Sequence, residues 1–467
     1  MKTRSLKASI LAHLDKESAD YWRFLEDGLE IDPLYLSLLC RHEDKGAFDK
    51  ATGGRMEEYL NVAYEYISFG FYADAIEVLK VCRLESPMKH YALAYAESLL
   101  DFSAHLAQNA AEAGEKAPAD YCFPNRVMEC LILKNAVDLL ESSGQKAPMA
   151  HYYLGELLYD KKQYAQAVFH WKEAAKAKPD LALAHRNLSI AYYNHGEMAL
   201  ALPEIAEAVY LEPDNSRFLL EQEQLLKRLE RPVKERLAVL EAHQNILSDR
   251  YALMLAYISL LNQDGQYEKA LELLMGYTFH VWEGGEGKVA DEYKTALFAL
   301  AEKALTEGKP EEALAYAERT LSYPDNLGEG KLDNVPDNQA YYLMGRAYRV
   351  LGNESQTKDC FEKAALGSQT PEPVRYYNDQ PSDYIYWQGL AFHALGNDEM
   401  AKKSFHQLII FGERHIFDRV GYDFFAVSMP ELEVYQDDIQ KRSDDYCRRL
   451  TALGRKGLEF LDNKKSC

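Results

Sequence analysis

The chain has 467 residues, 47% of them hydrophobic, and its 74 acidic against 53 basic side chains leave a net charge of −21. That apolar content fills a packed interior, and 26 glycines and 16 prolines are too few for a fibrous or disordered chain. The negative balance repels phosphate backbones and anionic headgroups, so neither a nucleic acid nor a membrane is the expected partner.

Seven cysteines, at 40, 82, 122, 130, 360, 447 and 467, include no C-x-x-C pair. An odd count scattered through helical patterns reads as buried thiols in a reducing compartment. The basic start Met1–Lys7 leads into a run broken by His13, Asp15, Lys16 and Glu17, which is not a signal peptide. No apolar stretch reaches the length of a membrane span. The expectation is a cytoplasmic protein.

Residues 1–55 read as short N-terminal helices around Leu6–Leu14, Ala19–Leu29 and Pro33–Cys40, with Asp32-Pro33 as a helix start and a loop over 45–54. Residues 56–147 hold a first hairpin unit and an irregular helical insertion. In the hairpin, Ala63 and Ala75 are the small residues that let two helices approach, Gly70 is the turn, and Pro87 stops the second helix. From residue 90 the pattern predicts one helix running to Ala113, then a break over 114–118. A further helix opens at Phe123-Pro124-Asn125-Arg126 and ends near Ser143.

Residues 148–249 are the central units, and here the chain says the same thing twice. His151, Leu154, Leu158, Ala167, Ala174 and Pro179 are matched 34 residues later by His185, Leu188, Tyr192, Ala201, Ala208 and Pro213. This period and pattern resemble the tetratricopeptide repeat, a helix–turn–helix unit, and imply an all-α fold, an α-α superhelix of stacked hairpins. Residues 216–249 keep the length but lose the signature, with Glu235 standing where a small residue belongs. Residues 250–415 restore it in units marked by Gly265, Gly308, Gly345, Gly352, Gly389 and Gly396. About eight units result, more than the roughly three a stable stack needs. Long loops at 278–288, 323–337 and 369–383 interrupt this part. Residues 416–467 read as capping helices, the last amphipathic from about Leu432 to Leu461.

No nucleophile elbow, P-loop, dinucleotide fingerprint or H-E-x-x-H is present, so the expectation is no enzyme, no cofactor and no metal. His280, Glu283 and Glu286 share one loop but lack the His/Cys spacing of a zinc site, and Trp282 reads as a plug between helices. The stretches Gly284-Gly285-Glu286-Gly287 and Gly328-Glu329-Gly330 look like phosphate cradles, yet neither follows a strand and both carry acids. Asn326 lies beside the second. Glu283, Glu286 and Glu329 are the carboxylates to test for saccharide chemistry.

Binding is better supported. In tetratricopeptide arrays the first helix of each hairpin lines the concave face, which here presents Tyr152, Glu156, Tyr159, Arg186, Asn187, Tyr193 and Asn194, then Tyr342, Arg346, Arg349, Tyr386 and His393. An aromatic and polar groove suits a peptide or an oligosaccharide, although half of the tyrosines are expected to be interhelical packing. Asn187 falls where some arrays place an asparagine of a C-terminal carboxylate clamp, but Glu156 in the preceding repeat would repel a carboxylate.

Several segments carry a narrower resemblance: Phe123-Pro-Asn-Arg126, Tyr152-Tyr-Leu-Gly155, Arg186-Asn-Leu188, 279–287, Asn326–Lys331 and 423–428. Their order resembles the C-terminal tetratricopeptide half of bacterial proteins that carry an uncharacterised β-sandwich, mutarotase-like domain in front and occur with carbohydrate-use genes. This chain leads almost directly into helices, without a strand-rich portion. The sequence therefore predicts a non-catalytic scaffold for a protein or peptide partner. The alternative is part of a carbohydrate-binding or glycoside-processing protein whose loops complete a saccharide site.

Overall fold

The computed structural model describes residues 1–42, 45–100, 104–118, 122–281, 285–374, 379–421, 434–435 and 438–465. Among them every regular element is a helix. The chain forms two compact units, Met1–Leu211 and Glu212–Cys467.

Unit 1 opens with α1 (Lys2–Asp15), α2 (Ala19–Ile31), α3 (Leu36–Leu39) and α4 (Lys45–Thr52). The loop expected over 45–54 is mostly this last helix. Phe48 is its buried anchor, set edge-on against Tyr59 with ring centroids 5.5 Å apart, and Gly53 and Gly54 end it in the left-handed region. The helix expected from Pro33 shrinks to four residues.

Next come α5 (Met56–Phe69) with α6 (Tyr72–Val81), then α7 (Pro87–Ser98) with α8 (Ala104–Lys116). The single helix expected to reach Ala113 is thus two. Ala107, Ala111 and Gly114 form a buried small-residue stripe that turns α8 back onto α7; a Cβ on Gly114 would sit 2.4 Å from the Tyr91 ring. The stretch expected as an irregular insertion holds another hairpin, α7 with α8, and then one extra helix. A solitary α9 (Val127–Ser142) leads into α10 (Pro148–Asp160) with α11 (Tyr164–Ala177), and α12 (Ala182–Asn194) with α13 (Met198–Leu211).

Unit 2 continues with α14 (Ser216–Arg228) and α15 (Val233–Glu241), a 3₁₀ turn at Gln244–Asp249, α16 (Tyr251–Gln263) and α17 (Tyr267–Gly276), and α18 (Lys288–Thr306) and α19 (Pro310–Arg319). Then follow a 3₁₀ turn at Asp325–Leu327, α20 (Asn338–Val350) and α21 (Glu354–Ala364), α22 (Tyr384–Ala394) and α23 (Asp398–His415), and α24 (Ile439–Lys465). The last helix begins later than the expected Leu432, because Asp438 accepts from the Lys441 amide and fixes the start there. In the degenerate hairpin α14/α15, Glu235 is turned outward and paired with Arg231. Leu237 and Leu240 fill the core, and a buried Arg236–Glu223 ion pair ties the two helices. It is a packing variant of the same unit.

One device recurs across the hairpins. Gly155, Gly345 and Gly389 sit mid-helix where a Cβ would lie 2.5, 2.7 and 2.4 Å from the rings of Trp171, Phe361 and Phe405 on the paired helix. The missing side chain lets a large ring lie flat on the opposing backbone, and the ring seals the core. Turns between paired helices are left-handed at Gly70, Gly196, Gly265, Gly308, Gly352 and Gly396, with φ from 73° to 83°. Lys162 and Glu230 take the same role at φ 59° and 54°, each 34 residues from Gly196.

Candidate functional site

The regular register of α10 and α12 sets consecutive first helices side by side, and their polar side chains meet. Tyr152 Oη donates to Glu156 Oε1 at 2.6 Å. Asn187 Nδ2 reaches the same oxygen at 3.5 Å, while Arg186 Nη1 donates to Asn187 Oδ1 at 3.1 Å. Two turns on, Asn194 Nδ2 donates to Tyr159 Oη at 3.3 Å, with Tyr193 half-buried beside it. The Tyr159 ring rests 5.3 Å from Trp171, whose indole N–H donates to the Tyr152 carbonyl. These residues form one polar strip backed by aromatic packing.

The electrostatics follow from burial. Burial pushes the Glu156 carboxyl above the usual carboxylate range, opposed by the bonds from Tyr152 and Asn187 and by the Arg186 charge. The Tyr152 hydroxyl is raised by burial and then by the neighbouring Glu156. The strip thus holds an acid, a cation, an amide and phenols within reach of one another, which suits hydrogen bonding to an extended polar ligand.

In unit 2 the predicted residues are used differently. Tyr342 packs between Phe361 and Trp387, and Tyr386 packs against Trp387 and Phe405. Both are nearly buried and act mainly as interhelical packing; in unit 1 Tyr152 and Asn187 are equally buried, so the accessible part of that strip is Glu156, Tyr159, Arg186, Tyr193 and Asn194. Arg346 is held by Glu302 with both carboxylate oxygens 2.7 Å from Nη1. Arg349 lies over Phe361 and donates to the Ala394 carbonyl; His393 pairs with Asp398 at 2.7 Å.

The two glycine-bearing loops meet, but as each other's caps. Phe279 N–H donates to the Asn326 carbonyl, and the Asn326 amide caps α17 through the Leu274 and Tyr277 carbonyls. Gly328 must be glycine: its φ is 78° and a Cβ would lie 2.4 Å from the Phe279 carbonyl oxygen. Glu329 accepts from the Gly287 and Ala290 amides at 2.7 and 3.2 Å, taking the α18 N-terminal donors that a phosphate would need. His280 is exposed and Glu286 half-buried; Trp282 and Glu283 lie outside the described residues. Among the described residues no group of three metal-ligating side chains converges.

Sequence reasoning missed a histidine pair. His151 Nδ1 and His170 Nδ1 face each other at 2.8 Å, so one donates to the other, and His151 Nε2 contacts Glu141 at 3.0 Å. Burial, then the neighbouring His151 and Lys134, push His170 down to about 4. The 19-residue separation across a hairpin was the available signal; His185 and Glu204 repeat it one unit later at 2.7 Å.

No protein-family model matches the chain. It is similar to the TPR repeat-containing protein YpiA of Bacillus subtilis (strain 168), with 25% identity over 330 residues, covering 67% of this chain and 69% of that protein. Among solved structures, the C-terminal part of a TPR repeat-containing protein from Cytophaga hutchinsonii matches at 16% identity and TM-score 0.33, covering 56% of this chain and 93% of that one. A tetratricopeptide repeat protein from Parabacteroides merdae matches at 14% identity and TM-score 0.25, covering 72% and 98%. With the 34-residue register, the glycine–ring contacts and the all-helical hairpins on the page, the chain is by fold a tetratricopeptide-repeat solenoid.

Proposed function

We propose that the chain is a non-catalytic scaffold that binds a peptide segment of a protein partner along the α10 and α12 face of unit 1. The observation that carries this reading is the Tyr152–Glu156–Asn187–Arg186 strip, polar groups gathered on the helices that line the concave face of such arrays. The saccharide alternative has one point in its favour, the meeting of the two loops. It is weaker because Glu329, its best-placed acid, is engaged by two backbone amides.

The test is selection of a random peptide library on the full-length chain, followed by titration of the enriched peptides. Asn187→Ala and Arg186→Ala are expected to weaken them roughly tenfold or more, as for polar anchors in a desolvated site. Peptides that bind both variants as tightly as the parent would refute this location. Oligosaccharide binding that survives these substitutions would favour the alternative.

A further inference from the structure

Helix α9 is the odd element of unit 1. The other helices from α5 onward pack as sequential pairs, whereas α9 lies against α7, α8 and α10 without a hairpin partner of its own. At and just ahead of its start, Phe123, Val127 and Leu131 are 73%, 78% and 50% exposed. Among the described residues this is the only run of nine with three exposed large apolar side chains. Val127 and Leu131 stand one turn apart on the same side of the helix. Single exposed apolar residues are ordinary on a folded surface, but a group of them marks a contact.

The backbone under this group is pinned. Cys122 and Pro124, on either side of Phe123, are both buried. The Asn125 and Arg126 amides donate to Glu129 Oε2 at 2.7 Å each, and Glu129 Oε1 accepts from the Tyr64 hydroxyl of α5 at 3.2 Å. Arg126 lies over the Tyr64 ring and pairs with Glu57, also on α5. A segment held this way loses little further freedom when a partner covers it, so burial of its apolar side chains appears as affinity. On its other flank the segment adjoins the polar strip. Cys122 is buried beside Tyr153 and Glu156, and α9 packs on α10, the helix that carries Glu156 and Tyr159. Lys134 follows Leu131 by three residues and Asp138 stands a turn beyond, both exposed, so the ridge adds no net charge and selects for apolar contact.

We propose, resting on the α10 and α12 site above, that the peptide bound there is amphipathic. Its polar part lies on the strip, and its apolar side chains lie on the ridge of Phe123, Val127 and Leu131. The partner is thus a protein segment with clustered aliphatic or aromatic residues beside a polar stretch.

The probes are two random dodecapeptide libraries selected on the full-length chain, one complete and one lacking Leu, Ile, Val, Met, Phe, Tyr and Trp. Enrichment is expected from the complete library alone. Val127→Asp combined with Leu131→Asp changes only exposed positions and is expected to weaken the enriched peptides about tenfold. Phe123→Ser is an independent variant with the same expected direction, and a thermal melt matching the parent checks the fold of each. Alanine in place of a peptide's apolar residues should cost a similar factor against the parent chain and little against the double variant, where the contact is already gone. Arg186→Ala separates this inference from the site it rests on. Weakening by Arg186→Ala with none from the α9 variants would overturn the amphipathic partner and leave the α10 and α12 site standing. Weakening by the α9 variants alone, or by neither, would overturn both. Equal enrichment from the library without apolar residues would also overturn the proposal.

Discussion

Single residues set the register, and their backbone angles say which were chosen for geometry. Gly196 adopts the left-handed turn between helices at no steric cost, whereas Lys162, one repeat earlier, does so with a Cβ. Lys162→Gly should therefore stabilise unit 1, by about 0.5 kcal/mol once the extra freedom of glycine in the unfolded chain is subtracted, read as a rise in Tm. Gly389→Leu should do the reverse. Its Cβ meets the Phe405 ring, and the cost is about 3 kcal/mol, visible in urea unfolding. His170 carries a pH dependence. Its proton affinity in the folded chain is depressed, so the unfolded chain binds the proton more readily as pH falls below the ordinary histidine range. Stability should be full above about pH 6.5 and decline toward pH 4, by about 2 kcal/mol. His170→Gln should flatten this slope in a pH series of thermal melts. The glycine positions were legible in the sequence because their spacing repeats. The histidine pair was harder to read: its 19-residue spacing recurs as His185 and Glu204, but that spacing carries no mark of its own until the hairpin register is known.

Helices and their caps were read well where the residue types are diagnostic and poorly where small residues decide. Gly70, read as a turn, closes α5 as expected. The alanine stripe of α8 is good helix former throughout, so periodicity alone extends α7 across the turn that Gly114 and Tyr91 make necessary. The α18 cap was hidden for another reason, because its acceptor comes from Glu329, about forty residues away. Glu329→Ala should leave the Gly287 and Ala290 amides without that acceptor and cost about 1–2 kcal/mol. Hydrogen exchange should show faster exchange confined to the first turn of α18. Unchanged exchange there would mean that the carboxylate contributes nothing to the cap.

At the scale of the whole chain, the described thiols are mostly sheltered: Cys82, Cys122, Cys360 and Cys447 are buried, and Cys40 and Cys130 are half-buried. Six cysteines among the described residues are free; Cys122 is pushed up to about 12 and Cys360 to about 11, both chiefly by burial. Thiolate is the reactive form, so native protein at neutral pH should label slowly with an Ellman-type reagent at these two sites and fully only after denaturation. Among the described residues no helix is long and apolar enough to cross a membrane. The architecture was legible because hairpin repeats write it many times over. The hydrogen bond from Arg228, at the end of α14, to the Tyr435 carbonyl was not, because it occurs once and joins residues far apart in the chain.

The turn positions 162, 196 and 230 have a practical meaning for anyone who edits this chain. Equal spacing makes the central region divisible into interchangeable modules, each ending in the same left-handed residue. Excising 163–196 would join one such turn to the residue that follows the next, so the two cut ends present matching helix phases. The same logic runs at a longer stride between Gly308, Gly352 and Gly396, 44 residues apart, so the C-terminal modules form a second cassette size within one gene product.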